Sequence, residues 1–484
     1  MLYRLPLFVP PFDVLRRLLF IFLFCPGVCL SLLQAQTTTA LPAAVEDMIA
    51  NSGIPANEMS LWIAPVDSGQ PLVDWQSNIP RSPASSIKVV TTGVGLLLLG
   101  ENFCWRMDFF TNGSVKNGVL NGDLFIKGYG DPYLVEEKLM DIVIELRERG
   151  IDHIAGKVVL DNTYFINRRE NPDAFDGHGM EPYNALPSAL SINFRTIDVL
   201  FTRQGNQVVV STDPELTYLN IDNSMTTNGY KHCRGKGFAP LIEWDRDAKV
   251  LSVSGSLSRN CQTKRLKRVL GDAGDVFFAY FKRAWELSGG SLSGDWVYGQ
   301  VPQNAQLLYE SCSRPLHEQI AAMNKFSNNI MTRQLFLTLG AELTRPPATL
   351  SKARAVVLHR LKQMGIDTKH LYIENGSGLS RTTRITAKQM GQFLLAMQDP
   401  RVAAIFEQSL AVVGVDGTLK QRLKNTPLAG NAVGKTGTLE QVKSLVGYLS
   451  TQSGRKYAYV ILLEGSRAKA GRPLMDELLQ WIYR

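Results

Sequence analysis

Ser82-Pro83-Ala84-Ser85-Ser86-Ile87-Lys88-Val89-Val90-Thr91-Thr92-Gly93-Val94-Gly95-Leu96-Leu97-Leu98-Leu99-Gly100 is the stretch on which the fold turns. Ser82 is suited to an N-cap and Pro83 to a first helical turn. The helix is expected to run through Val89, Val90, Val94 and Leu96–Leu99 and to stop at Gly100. It is apolar on nearly every face, which places it at the centre of the molecule. Ser85 and Lys88, three residues apart, fall on one face of it. A desolvated, neutral Lys can take the proton of a Ser hydroxyl and create a nucleophile. The same spacing recurs at Ser453/Lys456 and Ser466/Lys469. Ser453 precedes Gly454 in a turn, and Ser466 shares a polar loop with Arg467 and Arg472, where Lys469 stays hydrated. Only Ser85 opens a buried helix, where the dipole favours developing negative charge and burial depresses the Lys88 pKa.

Upstream, Ser60–Val66 and Leu72–Gln76 read as two strands joined at Asp67-Ser68-Gly69, a hairpin signal. Downstream the texture changes at Cys104. Short β-like runs dominate to Asp272: Leu124–Lys127, Lys157–Leu160, Val208–Ser211 and Val250–Ser254. Helical patterns then return at Phe277–Leu287, Leu316–Gly340, Ser351–Met364 and Ala387–Met397. Three strand candidates follow, Ala432–Leu439, Ser444–Ser450 and Tyr457–Leu463, and a helix over Pro473–Tyr483 closes the chain. The outer parts make an α/β (α+β) unit with an antiparallel sheet, and the middle is a β-rich insertion in it. The expected organisation is 1–35 as a signal peptide, 36–103 and 273–484 as the outer domain, and 104–272 as the insertion.

The chain has 484 residues, 45% hydrophobic and 20% charged. Those proportions exclude a disordered, collagenous or multi-span membrane protein. At the N-terminus Arg4, Arg16 and Arg17 precede an apolar run from Leu18 to Leu33, followed by Gln34-Ala35-Gln36. This is the pattern of an export signal cleaved near Ala35. The run is short for a spanning helix and contains Pro26; an uncleaved anchor, which would leave the protein on the membrane surface, is the alternative. Cleavage would remove three Arg and one Asp, lowering the net charge from +8 to +6. Export permits disulfides. Four Cys remain, and of their three connectivities the sequence favours Cys233 with Cys261, flanking Val250, Leu251 and Val253. Closing that loop is worth roughly 3–4 kcal/mol. No CxxC occurs, the six His are scattered and His317-Glu318 lacks a second His four residues on, so redox and zinc-protease chemistry are disfavoured.

Two further motifs carry chemistry. Ser-x-Asn occurs at Ser191/Asn193, Ser258/Asn260 and Ser327/Asn329, and only the last lies among the helical patterns. There a hydroxyl can pass a proton to a leaving amine, and the amide can orient substrate and Lys. Lys435-Thr436-Gly437 occurs once, on a predicted strand, followed by Thr438. Its Gly admits close approach of another chain segment, Lys and Thr can grip a carboxylate, and the amides of Thr438 and Ser85 can form an oxyanion hole. The order Ser85/Lys88, Ser327/Asn329, Lys435-Thr436-Gly437 is close to the set found in penicillin-binding proteins and class A β-lactamases, where the second motif reads Ser-Asp-Asn.

On these motifs the chain resembles the D-alanyl-D-alanine carboxypeptidase/endopeptidases, the class C low-molecular-mass penicillin-binding proteins. The resemblance extends to Gly122-Asp123-Leu124, Gly130-Asp131-Pro132, Tyr183-Asn184-Ala185, Ser188-Ala189-Leu190-Ser191, Gly376-Ser377-Gly378-Leu379-Ser380-Arg381 and Gly414-Val415-Asp416-Gly417-Thr418-Leu419. It implies a serine β-lactamase/transpeptidase-like domain carrying an insertion of two subdomains. It implies Ser85 as the acylated nucleophile, Lys88 as its base, Ser327 and Asn329 in proton transfer and orientation, and Lys435, Thr436, Gly437 and Thr438 in substrate binding. The implied reaction cuts D-Ala-D-Ala or D-Ala-diaminopimelate bonds of peptidoglycan stem peptides in the periplasm, through an acyl-enzyme that β-lactam antibiotics also form. No cofactor or metal is implied. The family usually has Asp where this chain has Asn375. A carboxylate of the family's insertion contacts the diaminopimelate side chain; within Asp173–Glu181 the candidate is Asp176, whose other reading is an exposed loop carboxylate.

The competing enzyme is a serine β-lactamase, but no Glu followed, after two other residues, by Leu-Asn lies between Asn329 and Lys435. An inactive wall-binding scaffold would have no need of Lys88. Nucleic-acid binding rests only on net charge and on Lys264, Arg265, Lys267 and Arg268, a pattern that also suits a solvated edge. Oligomeric state is open.

Overall fold

The apolar stretch after Ser85 becomes a 12-residue α-helix, Lys88–Leu99, ending at Gly100 with φ 83°. In the computed structural model, which describes residues 41–166 and 171–484, a 3-10 turn over Ala84–Ile87 precedes it. Ser85 therefore sits on a 3-10 turn rather than on the first α-helical turn. Side chains three apart eclipse in that geometry, so Ser85 still faces Lys88. The proposed export segment lies outside the described residues. Among those described, no helix is long and apolar enough to cross a membrane.

The helix packs among helices Leu316–Lys325 and Asn329–Thr344, and the 3-10 turn before it lies against a six-stranded antiparallel sheet, ordered Ala411–Val412, Ala432–Leu439, Val442–Ser450, Lys456–Glu464, Met59–Pro65 and Val73–Trp75. The hairpin read at Asp67-Ser68-Gly69 is the outer pair of this sheet. Strand Met59–Pro65 is buried along its whole length because both faces are covered. Trp62 and Ala64 join one hydrophobic cluster with Val90, Phe336 and Phe393. Leu61 and Ile63 join another with Val45, Leu478 and Ile482. Ala458, Val460 and Leu462 alternate with Tyr459, Ile461 and Leu463 in the same manner. The period of two is present, but the residues on both faces at these positions are apolar.

The middle of the chain builds smaller sheets around a separate cluster containing Phe109, Ile126, Phe201 and Leu251. Two features depart from the sequence reading. Glu136–Glu148 is an α-helix inside the β-rich stretch, burying Leu139, Ile142, Val143 and Leu146 at helical spacing. Helix Ala273–Leu287 also sends Val276, Phe277, Phe281 and Trp285 into this cluster. Strand Gln306–Cys312 pairs with Arg106–Thr111. A boundary after Asp272 assigns these elements to the outer domain, whereas their packing and pairing are with the middle region. Disulfides join Cys233 to Cys261 and Cys104 to Cys312, the second linking the two ends of that region.

The basic run on strand Thr263–Arg268 is locally neutralised. Arg265 and Lys267 approach Asp198, Arg265 also approaches Asp213, and Arg268 approaches Glu181. It is an ion-paired edge.

Candidate active site

Ser85 alone among residues 81–90 is not fully buried. Its turn is held from two sides by glycines. A Cβ on Gly437 would stand 2.5 Å from Pro83 O and 2.2 Å from Ser444 Oγ. Gly378, at φ 80°, would place a Cβ 1.9 Å from Ala84 O. Strand Ala432–Leu439 and the Gly376-Ser377-Gly378 loop can press this close only because no side chain intervenes. Ser444 Oγ completes the clamp by donating to Pro83 O at 2.6 Å.

Lys88 is wholly buried. Its Nζ donates to Asn329 Oδ1 at 2.7 Å and to Ser377 O at 2.5 Å, which leaves the lone pair of a neutral amine for the Ser85 hydroxyl, whose Oγ is 3.1 Å away. Burial pushes its amine well below the usual lysine range, and the nearby cations Lys435 and Arg333 push in the same direction. The arrangement favours a neutral amine one hydrogen bond from a hydroxyl.

Ser327 lies at the break between helices Leu316–Lys325 and Asn329–Thr344, with φ 59°. Asn328 caps the second helix, its side chain accepting from Met331 N at 3.1 Å. Asn and Asp cap equally well, so the amide at this middle position preserves the break. Asn329, the first helical residue, turns Oδ1 to Lys88 and donates through Nδ2 to Tyr183 O at 3.1 Å.

Lys435 is also fully buried. Its Nζ donates to Ser327 Oγ and to Thr436 O, both at 2.8 Å. Burial lowers its pKa to about 7. Thr436 donates to Thr418 Oγ1 at 3.0 Å. Thr438 is exposed on the same strand, opposite Lys443. Because Gly437 touches Pro83 and Ala84, the next amides along each segment, those of Thr438 and Ser85, flank that contact.

Asp176 approaches this constellation through one intermediary. It accepts from Tyr183 Oη at 2.9 Å and Asn184 Nδ2 at 2.7 Å, and Tyr183 is the residue whose carbonyl receives Asn329. Slight burial works against its ionisation, but the Asn184 and Tyr183 hydrogen bonds prevail and hold it below the usual carboxylate range.

Three participants come from outside the Ser85, Ser327 and Lys435 motifs. Ser377 contributes a backbone carbonyl, and Tyr183 another. Asn375, which the sequence places outside the three motifs, stands directly behind Ser377. Its Oδ1 accepts from Ser377 N at 3.1 Å and Oγ at 2.9 Å, and its Nδ2 donates to Leu379 O at 2.8 Å. It is two residues from the carbonyl that receives Lys88. Among the described residues, no group of three or more His, Cys, Asp or Glu could hold a metal ion.

Residues 41–484 match the D-Ala-D-Ala carboxypeptidase 3 (S13) family. The chain belongs to this family. Within the S13 family it is 26% identical over 407 residues to the D-alanyl-D-alanine carboxypeptidase DacB of Haemophilus influenzae, covering 83% of this chain and 84% of that one. It is 27% identical over 412 residues to the D-alanyl-D-alanine carboxypeptidase of an Actinomadura species, covering 82% and 76%. The crystal structure of penicillin binding protein 4 from Haemophilus influenzae superposes with a TM-score of 0.76 at 24% identity, covering 91% of this chain and 99% of that one. The S13 chain thus shares the fold of that protein, a transpeptidase-like domain with an insertion.

Proposed function

We propose that this S13 chain is an exported serine peptidase that cuts D-Ala-D-Ala and D-Ala-diaminopimelate bonds of peptidoglycan stem peptides through an acyl-enzyme on Ser85. The observation that carries the reading is Lys88: buried, depressed in pKa, and 3.1 Å from the Ser85 hydroxyl.

Ser85 Oγ attacks the carbonyl of the penultimate D-Ala as Lys88 Nζ takes its proton. The amides of Ser85 and Thr438 hold the resulting oxyanion. The C–N bond then breaks, and the leaving amine takes the proton that Lys88 accepted, relayed by Ser327, which lies against Lys435, so that Lys88 is neutral again. Lys435 and Thr436 hold the carboxylate of the leaving residue. Water, deprotonated by the same Lys88, attacks the ester; the acid leaves and Ser85 recovers its proton. Asn329 fixes Lys88 and orients the stem peptide. Asp176, ionised beside Tyr183, receives the diaminopimelate ammonium. No cofactor takes part in these steps.

We extend the reading to the domains. The insertion begins near Cys104 and ends near Cys312, because helix Ala273–Leu287 and strand Gln306–Cys312 complete its core and sheet. A β-lactam, whose strained amide mimics the scissile bond, acylates the same oxygen; a complex of the Haemophilus influenzae penicillin binding protein 4 with a β-lactam supports this.

The test is product analysis. The chain should release D-alanine from a stem peptide ending in D-Ala-D-Ala and split a cross-linked dimer, and Ser85→Ala should do neither. Undiminished D-alanine release by the variant would overturn the assignment.

A further inference from the structure

Beyond the active site, a cavity of about 470 Å3 is lined by Arg195, Arg246, Asp247, Asp272 and Tyr298. It shares the walls Pro172 and Leu186 with a second cavity of about 460 Å3. That second cavity reaches Asn184, Asn375 and Leu379, which adjoin the catalytic groups.

Arg195 is the anchor. It is 7% exposed, and its Nη2 donates to Gly271 O at 3.3 Å. Its Nε is buried without a hydrogen-bond partner. Buried polar atoms are nearly always paired, so an unused donor on a buried cation calls for an explanation. The acids that act on it, Asp272 and Asp275, do so through space. The backbone is strained at the same place. Asn193, Phe194 and Arg195 hold φ of 45°, 56° and 61° in succession. Non-glycine residues rarely enter this region, and such strain concentrates at ligand clamps.

Two cations and two carboxylates face the one volume. Arg246 spends one nitrogen on Asp173 at 3.2 Å, leaving other donors of its fork. Asp272 Oδ1 accepts from Tyr298 Oη at 3.2 Å and, as the cap of helix Ala273–Leu287, from Asp275 N at 3.0 Å, which fixes that carboxylate and leaves Oδ2 as its oxygen for a ligand. We propose that this cavity binds a zwitterionic amino-acid head group, its carboxylate on Arg195 and Arg246 and its ammonium on Asp247 and Asp272. The site is independent of Ser85. Only the source of its ligand rests on the proposed reaction, which offers two: the second stem peptide of a cross-linked substrate, or released D-alanine.

The test is calorimetric titration of the full chain with D-alanine, before and after treatment with penicillin. Saturable binding is expected, persisting after acylation of Ser85 and weakened about tenfold or more by Arg246→Ala and by Asp247→Asn. N-acetyl-D-alanine and D-alaninamide, each lacking one charge, should bind about tenfold or more weakly. Arg195→Gln should act in the same direction; the two surface variants keep the test valid if it does not fold. If Arg246→Ala also lowers kcat/KM for a cross-linked dimer about tenfold while sparing a single stem peptide, the occupant is the second stem. If it spares both substrates, the occupant is free D-alanine. Absence of saturable binding, binding that survives both surface variants, or binding abolished by acylation overturns the proposal. Failure of penicillin to acylate would count against the Ser85 reading alone.

Discussion

Lys435 Nζ donates to Ser327 Oγ at 2.8 Å across 108 residues of sequence. That bond joins the strand which would hold the substrate carboxylate to the turn which would pass the proton. Lys435 has a pKa near 7 because it is buried. Only its charged form attracts a carboxylate, so kcat/KM should fall as pH rises through about 7 in the free enzyme. Substrate raises the Lys435 pKa, so kcat should fall only at higher pH. A pH profile measured for both constants checks this. An unshifted basic limb would remove Lys435 from that role.

Lys88 should be costly to the fold. Its folded pKa lies well below 10.5. Between those values the unfolded chain binds more protons than the folded one, so this group makes stability rise with pH. Lys88→Met should therefore raise the melting temperature, with a gain that shrinks as pH approaches about 10.4. It should also cut acylation by about 10^4-fold. Thermal melts of both proteins across pH, beside acylation rates, measure the two effects.

Asn375 should tune Lys88 through Ser377. Asn375→Asp introduces a charge close to the amine, which favours its protonated form. It also removes the Nδ2 donor to Leu379 O. The acidic limb of kcat/KM should move up by about one pH unit. An unmoved limb would show that the turn, not its charge, is what matters.

Gly437→Ala tests the clamp on the nucleophile. The new Cβ would lie 2.5 Å from Pro83 O and 2.2 Å from Ser444 Oγ, so the strand and the Ser85 turn must separate. A displacement of this kind costs about 10^2-fold in acylation. Acylation kinetics with a soluble fold, confirmed by circular dichroism, provide the check.

The legible parts of the sequence were those where one residue type has one use. Strand Ala432–Leu439 sits where the sequence places it, and the helical pattern over Leu316–Gly340 is two helices broken at Ser327. The buried helix was readable from apolarity, although its first turn is 3-10. Helix Glu136–Glu148 was hidden because its four buried residues are diluted by charge among β-like runs. The packing of helix Ala273–Leu287 into the middle region depends on tertiary contacts that no local pattern encodes. The Ser377 and Tyr183 carbonyls leave no side-chain signature, so two partners of Lys88 and Asn329 emerged only from the fold.

The most direct test is the intact mass of the chain after incubation with a fluorescent penicillin, followed over several hours beside Ser85→Ala. A nucleophilic Ser85 gives a single lasting adduct on the parent chain and none on the variant. An adduct that persists in Ser85→Ala, or a folded parent chain that neither acquires an adduct nor consumes the drug, would contradict it.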